Sequence, residues 1–171
     1  MITTIYLDMD GVIADFDKGY SSIYGINCRD DPNADIRWYE FVKNDGFRNL
    51  PTTIDFTVLT TKLFSLDVNV EILSSLSIRN NYKDVAKQKY AWLEEHRLGD
   101  LPVTFVRKKV EKSDYADNTT LLIDDSAGCV DPFRARGGFA IQHSSARKTI
   151  NELRCFEDKG LLCALSLHQE I

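Results

Sequence analysis

The sequence predicts an α/β fold with a mostly parallel β-sheet that is covered on both faces by helices. Short apolar segments rich in β-branched residues alternate with longer segments of helical character along the 171 residues. This alternation is typical of parallel sheets, in which each strand is connected to the next by a helix that packs on the sheet. Five segments are predicted as strands: residues 2–7, 68–73, 102–106, 121–123 and 139–141.

Helices are predicted between these strands and after the last of them. A helix over residues 57–66 leads back to the sheet, a largely polar helix covers residues 81–96, and a C-terminal helix starts with residues 146–153. Between residues 15 and 66, aromatic residues are mixed with turn-forming residues. That mixture predicts short helices and loops without a strand.

Length and composition limit the classes of protein to which the chain can belong. The length fits one domain with a small insertion, and the net charge of −5 with no basic run argues against tight binding to a nucleic-acid backbone. The four cysteines form no Cys-x-x-Cys pair, so free thiols in a reducing compartment are expected rather than a zinc site. No secretion signal or bilayer-spanning run is found, so we expect a cytoplasmic protein without membrane contact.

Polar side chains follow three of the predicted strands at the point where each strand ends. Asp8 and Asp10 follow the first strand, Ser74 follows the second, and Asp124 and Asp125 follow the fourth. The carboxyl ends of parallel strands meet at one edge of a sheet, where ligands bind, so these side chains should lie close together. Paired carboxylates repel each other unless a cation or a bound phosphate changes the local charge. The sequence therefore predicts a metal site at this edge.

The same carboxylates suit phosphoryl transfer. Magnesium takes oxygen ligands, which Asp8, the backbone carbonyl of Asp10 and one of Asp124 or Asp125 could supply. Asp8 is nearest to its strand and most rigidly held, so it is predicted as the nucleophile that forms an aspartyl phosphate. Asp10 can turn back past Gly11 to protonate the leaving oxygen and later to activate water.

Phosphate binding requires a hydroxyl or backbone N–H donor and a positive charge. Ser74, at a strand-to-helix junction, can supply the first. The candidates for the positive charge are Lys89, Lys108, Lys109 and Lys112. Taken singly, an Asp-x-Asp is usually a turn, such a serine usually caps a helix, and a lysine is usually a solvated surface charge. Their convergence at one sheet edge favours function.

The order of these residues resembles a known superfamily. The run Asp-Met-Asp-Gly-Val of residues 8–12, then Ser74, a lysine and the acidic pair 124–125 is similar to the four ordered motifs of the haloacid dehalogenase-like (HAD) phosphatases. Within that superfamily the chain most resembles the 5′(3′)-deoxyribonucleotidases, because of Phe16 and the run Lys-Tyr-Ala-Trp at residues 89–92.

The resemblance implies an architecture and a set of metal ligands. It implies a Rossmann-like three-layer core of residues 1–16 and 66–171, with a small helical cap of residues 17–65 inserted after the first strand. It also implies Mg²⁺, for which the expected ligands are Asp8, the Asp10 carbonyl, Asp125 directly and Asp124 as its neighbour.

The resemblance further implies which residues bind the substrate. The phosphate-binding residues are expected to be Ser74, Ser75, Lys109 and Lys89, and the substrate pocket is expected to contain Phe16, Trp38 and Phe47. The stretch between Lys109 and Asp124 is longer than is usual in the family, so Lys108 or Lys112 could replace Lys109. Trp38 and Phe47 fit a core position as well as a pocket.

The implied activity is Mg²⁺-dependent hydrolysis of (deoxy)nucleoside monophosphates through an aspartyl phosphate. One alternative is a phosphatase for another small phosphate ester or for a nucleic-acid 3′-phosphate end. A second is a catalytically silent binding protein of the same fold. The expected partner is a small nucleotide, with no stable nucleic-acid complex, and a homodimer is compatible with the sequence.

Overall fold

The computed structural model describes residues 1–76 and 78–165, and it contains a five-stranded, fully parallel sheet. The strand order across the sheet is β3-β2-β1-β4-β5, with the first strand at the centre. The α/β parallel fold predicted from the sequence is thereby confirmed. The strands are β1 (Thr4–Leu7), β2 (Asn69–Ser75), β3 (Val103–Val106), β4 (Thr120–Asp124) and β5 (Phe139–Gln142).

The register of the central strands determines where the candidate site lies. Leu7, the last residue of β1, pairs with Ile72 on one side and with Ile123 on the other. The backbone N–H of Asp8 then donates to the carbonyl of Ile123 at 3.0 Å, which continues the ladder one residue beyond β1. Asp8 and Asp124 therefore leave neighbouring strands at the same level of the sheet.

Six α-helices and one 3₁₀ helix are found in the described part of the chain. The helices predicted over residues 57–66, 81–96 and from 146 are all present. The α-helix Ala127–Ala135, which contains Pro132, and the 3₁₀ helix Lys109–Tyr115 were not predicted from the sequence. The helices are α1 (Phe16–Tyr24), α2 (Ala34–Lys43), α3 (Phe56–Leu63), α4 (Tyr82–Glu95), the 3₁₀ helix (Lys109–Tyr115), α5 (Ala127–Ala135) and α6 (Ala146–Asp158).

The segment between β1 and β2 contains helices and loops without a strand element, as its aromatic and turn-forming residues predict. It contributes α1, α2 and α3, and the structure describes all of its residues. Helix α3 packs against α6, where Lys62 Nζ lies 2.9 Å from Glu157 Oε2. The division into a core and a cap of residues 17–65 remains a prediction.

The sheet forms the centre of the hydrophobic core. All five residues of β4 are buried, and so are Ile5 and Leu7 of β1 and Ile72 of β2. Burial of successive residues is expected when helices cover both faces of a parallel sheet. Among the residues described, no helix is both long and apolar enough to cross a lipid bilayer.

Candidate active site

Three carboxylates meet at the carboxyl ends of β1 and β4, as the sequence predicts. Asp8, Asp124 and Asp125 each place an oxygen within 4.8 Å of the others. Asp8 is held there by the backbone hydrogen bond to Ile123, and Asp124 is the last residue of β4. Asp8 and Asp124 are buried, whereas Asp125 is exposed.

A glycine allows the first acidic segment to approach the second. Gly11 has a φ angle of +78°, in the left-handed region that favours glycine. A Cβ atom added there would lie 2.6 Å from Asp125 Oδ2, well inside van der Waals contact. The close approach of the loop after β1 to Asp125 therefore depends on the absence of a side chain at Gly11.

The ammonium group of Lys112 lies between two of the carboxylates. Lys112 is on the 3₁₀ helix and is fully buried, with its Nζ 2.8 Å from Asp8 Oδ1 and 2.5 Å from Asp124 Oδ2. Burial alone would lower the pKa of Lys112, but the charges of Asp8 and Asp124 outweigh it and hold the pKa above its ordinary value. Lys112 is therefore a fixed positive charge beside Asp8.

A second buried lysine joins Asp10 to the end of β2. Lys89 on α4 is 1% exposed, and its Nζ donates to Asp10 Oδ2 at 2.7 Å. The same Nζ donates to the hydroxyl of Ser74 and to the carbonyl of Ser75, both at 3.0 Å. The structure thus brings together Asp10, Ser74, Ser75 and Lys89, all of which were predicted as site residues.

The four carboxyl groups differ in the direction of their pKa shifts. Burial raises the pKa of Asp8, but the positive charges of Lys112 and Lys89 outweigh it, so its pKa lies below its ordinary value. The pKa of Asp10 is raised by burial, with Lys89 opposing and Asp8 adding to the shift. Burial and the charge of Asp8 also raise the pKa of Asp124, and raise that of Asp125 to about 6.

The residues fit a divalent cation of the magnesium type. The donor set consists of carboxylate oxygens, which Mg²⁺ prefers, and raised pKa values are expected where neighbouring carboxylates have too little positive charge around them. In addition, Asp8 Oδ1 and Asp10 Oδ1 are buried and accept no hydrogen bond, although the former lies in the ion pair with Lys112. Buried oxygens of this kind normally have a partner.

A cavity of about 570 Å³ opens onto these carboxylates. Asp8, Asp10 and Asp125 line one part of it. Another part is lined by aromatic rings, which we call the aromatic wall: Phe16, Trp38 and Phe47. The cavity is also lined by Gly11, Asp15, Asp17, Cys28, Arg29, Ser75, Leu76, Lys109 and Ser126.

The aromatic wall is rigid because its rings pack against one another. The Phe16 and Phe47 rings are stacked, with centroids 5.6 Å apart and an interplanar angle of 19°, and the Trp38 centroid lies 5.3 Å from that of Phe47. Trp38 is 8% exposed and Phe47 is 1% exposed. Both residues therefore belong to the core and line the cavity with the little surface they expose, so the two interpretations left open by the sequence are compatible.

Neither a protein-family model nor a curated protein sequence matches this chain. Solved structures do match it. A hydrolase from Streptococcus pneumoniae has a TM-score of 0.56 and 12% identity over 90% of this chain and 98% of its own. A HAD family hydrolase from Deinococcus radiodurans, solved with bound phosphate and sodium, also has a TM-score of 0.56 and 12% identity, over 96% and 99% of the two chains. The chain has the HAD-like fold.

A third match extends over the whole chain. The L-2-haloacid dehalogenase of Xanthobacter autotrophicus, solved with chloropropionic acid covalently bound, aligns with 100% of this chain and 92% of its own, at a TM-score of 0.53 and 12% identity. At this level of identity the HAD-like fold is what the comparisons establish.

Within this HAD-like fold, the lysine candidates after β3 occupy different positions. Lys112 is the one in contact with Asp8 and Asp124. Lys109, which the sequence favoured, lines the cavity and donates from Nζ to the Ser126 hydroxyl at 3.3 Å. Lys108 is exposed at the N-terminus of the 3₁₀ helix. The 3₁₀ helix determines which of these lysines faces the carboxylates.

Other cavity residues were not predicted from the sequence. Asp15 and Asp17 lie at the start of α1, while Cys28 and Arg29 lie in the loop between α1 and α2. Asp17, Cys28 and Arg29 belong to no motif, and their spacing carries no periodic signal. They reach the cavity because the loop that follows α1 folds back beside its N-terminal end.

Proposed function

We propose that this chain is a Mg²⁺-dependent phosphatase that hydrolyses nucleoside monophosphates through an aspartyl phosphate. The observation that carries the proposal is the placement of Asp8. It is buried against Lys112, it is one of three carboxylates that meet at the sheet edge, and it lines a cavity with an aromatic wall. The bound phosphate of the Deinococcus hydrolase with the same fold also supports a phosphate ligand.

Asp8 is the nucleophile in this proposal. Its pKa lies below the ordinary value, so it is ionised at neutral pH and can attack phosphorus directly. A bond forms between its carboxylate oxygen and phosphorus while the bond from phosphorus to the ester oxygen breaks. The hydrogen bond of the Asp8 backbone to Ile123 keeps the carboxylate in place during attack.

Asp10 carries out the proton transfers. Its raised pKa favours the protonated form that can donate to the leaving oxygen, and Lys89 fixes its orientation. In the second half of the reaction, the Asp10 carboxylate takes a proton from water as that water attacks phosphorus. Inorganic phosphate leaves, and Asp8 returns to its free form.

Positive charge and donors around the phosphate come from three parts of the fold. Ser74 and Lys89 approach from β2 and α4, and Lys112 approaches from the 3₁₀ helix. Asp8, Asp124 and Asp125 would hold Mg²⁺, which would neutralise phosphate charge. Phosphoryl transfer depends mainly on such positioning and charge compensation.

The aromatic wall favours a nucleoside over other leaving groups. A nucleobase presents a flat π-face, which packs well on aromatic rings. Phe16 is only partly buried, so its ring has surface left for contact with a base in addition to its stacking on Phe47. Another small phosphate ester would undergo the same chemistry at Asp8 without this contact.

The test is phosphate release from a panel of nucleoside monophosphates, sugar phosphates and phenyl phosphate, with Mg²⁺ and with EDTA. We expect Mg²⁺-dependent release, and we expect Asp8→Asn to lower kcat by at least about 10³-fold. Asp100→Asn, at an exposed position in the loop before β3, is the control and should retain activity. Near-normal turnover by Asp8→Asn would contradict the proposed nucleophile.

The nucleoside contact has its own test. Phe16→Ala should raise KM for a nucleoside monophosphate more than KM for a sugar phosphate, because only the nucleotide carries a flat aromatic ring that can pack on Phe16. Equal changes in the two KM values would favour the alternative, a phosphatase for another small ester.

A further inference from the structure

We propose that Asn81 is a positioning residue for nucleoside binding, which holds the indole of Trp38 in the orientation that a base requires. Trp38 belongs to the aromatic wall, whereas Asn81 is not among the residues that line the cavity. This role rests on the proposed phosphatase function and specifies how the site favours a nucleoside over another phosphate ester.

The side chain of Asn81 binds Trp38 and does not cap its own helix. Asn81 is the N-cap residue of α4, where an asparagine oxygen often accepts from a backbone N–H of the first turn. It makes no such bond, and its Oδ1 accepts instead from the indole Nε1–H of Trp38 at 3.2 Å. The backbone carbonyl of Asn81 still accepts from the N–H groups of Asp84 and Val85, so the start of α4 does not depend on the side chain.

The segment that carries Asn81 makes a second contact with Trp38. The Cζ atom of Arg79 lies 4.7 Å from the centroid of the Trp38 ring, and Arg79 also forms an ion pair with Asp35 of α2. A cation over an indole ring is attractive but tolerates rotation of the ring, whereas an N–H donor must point at its acceptor. The hydrogen bond to Asn81 is therefore the contact that fixes the rotation of the indole.

Helix α4 relates the aromatic wall to the phosphate site. Gln88 accepts from the backbone N–H of Phe47, the neighbour of Trp38 in the wall, at 3.1 Å. Lys89, the next residue of α4, donates to the Ser74 hydroxyl at 3.0 Å. A nucleoside monophosphate has to bring its base to the wall while its phosphate is bound, so the orientation of the wall contributes to its binding. A sugar phosphate lacks the base and does not depend on the wall.

Loss of the hydrogen bond should weaken nucleotide binding without slowing the chemical step. Without its acceptor the Trp38 indole can take several orientations, and the apparent affinity falls with the fraction that accepts a base. The net contribution of one hydrogen bond corresponds to a rise in KM of about two- to tenfold. The value of kcat should not change, because the ion pairs of Asp8 and Asp10 with the buried lysines are left intact.

The test measures kcat and KM with two esters that differ by the base. They are ribose 5-phosphate and the ribonucleoside 5′-monophosphate that the unaltered protein hydrolyses fastest. Asn81→Leu removes the acceptor at similar volume and should raise KM for the nucleotide alone, and Asn81→Ala should do the same. Asn81→Asp keeps an acceptor oxygen and should keep KM near that of the unaltered protein. Asn33→Leu is the matched control, because Asn33 is the exposed N-cap residue of α2 and also makes no side-chain cap bond.

The indole N–H signals in a ¹H–¹⁵N NMR spectrum provide a measurement that does not depend on turnover. The chain has two tryptophans, and the indole of Trp92 donates to the Leu50 carbonyl at 2.8 Å. Asn81→Leu should shift the Trp38 signal and leave that of Trp92 in place, and Asn81→Asp should shift it less. An unshifted Trp38 signal in Asn81→Leu would refute the contact.

The kinetic outcomes separate this role from the phosphatase proposal. Hydrolysis with an unchanged nucleotide KM in Asn81→Leu would overturn the role of Asn81 alone. Equal increases of KM for both esters, or the same increase in Asn33→Leu, would show a general structural effect and would overturn it as well. If the unaltered protein hydrolyses no phosphate ester, the phosphatase proposal fails, and the role of Asn81 in substrate binding fails with it.

Discussion

Replacing Lys112 by methionine should destabilise the protein strongly, because it removes the shared cation of two buried carboxylates. Lys112 is 0% exposed, and its Nζ lies 2.8 Å from Asp8 Oδ1 and 2.5 Å from Asp124 Oδ2. Methionine has a similar length and fills the same space, so the change removes charge with little loss of packing. Asp8 and Asp124 would then face each other without the cation that contacts both of them.

The size of this effect follows from the burial of the pair. Removing one partner of a buried ion pair costs about 3–5 kcal/mol in the free energy of unfolding. For a chain of this length, each kcal/mol lowers Tm by about 2–4 °C, so a loss of 3 kcal/mol corresponds to about 6–12 °C. We expect a decrease in Tm of this size for Lys112→Met.

The assay is thermal unfolding followed by circular dichroism at pH 7.5. The raised pKa of Lys112 means that its contribution is present at low and neutral pH and is lost only as pH rises through that pKa. The lowered pKa of Asp8 means that its contribution is present above the ordinary value of 3.8 and is lost as pH falls through the lower value. At pH 7.5 both contributions are therefore complete.

Two controls identify the cause. Lys108→Met removes an exposed charge from the neighbouring turn and should change the free energy of unfolding by no more than about 0.5 kcal/mol. Addition of Mg²⁺ should restore part of the Tm of Lys112→Met, since a cation among Asp8, Asp124 and Asp125 relieves their repulsion. Equal Tm values for Lys112→Met and Lys108→Met in EDTA would refute the view that Lys112 is the cation that compensates Asp8.

Three further changes test separate features. Gly11→Ala places a Cβ 2.6 Å from Asp125 Oδ2 at a positive φ, so it should lower the free energy of unfolding by about 1–3 kcal/mol. It should also reduce the increase in Tm caused by Mg²⁺, and an unchanged increase would show that the close approach is dispensable. Gln88→Leu removes the acceptor that lies 3.1 Å from the buried backbone N–H of Phe47. It should lower the free energy of unfolding measured in urea by about 1–3 kcal/mol, and a decrease below about 0.5 kcal/mol would contradict this. Burial lowers the pKa of His143, so protonation favours the unfolded chain and stability falls as pH drops below about 6.5. The Tm of His143→Gln should therefore decrease less between pH 7 and pH 5 than the Tm of the unaltered protein.

The sequence was sufficient to predict the parallel α/β fold and the meeting of Asp8 with the acidic pair of residues 124–125. Alternation of apolar strand segments with helical segments is a local signal, and every predicted strand is present. The edge at which the acids meet follows from topology alone, since parallel strands all point in the same direction. The positions of Asp10 and Ser74 were predicted by the same reasoning.

Other features depended on tertiary structure. Three lysines lie within five residues, and Lys109 was expected to bind phosphate, with Lys108 or Lys112 as alternatives. The 3₁₀ helix decided that Lys112 is the one that reaches Asp8. Helix α5 was not predicted, and it contains Pro132, a residue type that normally interrupts a helix.

The cavity and its charges also required the folded chain. The aromatic wall and the pair of Asp17 with Arg29 combine residues from α1, α2 and the loops beside them, and their spacing along the chain carries no period. Strand direction and hydrophobic periodicity are properties of short segments, so the sequence alone determined the sheet and the acids at its edge. Which distant side chains share a cavity depends on how helices and loops pack on that sheet, and this was decided only by the tertiary structure.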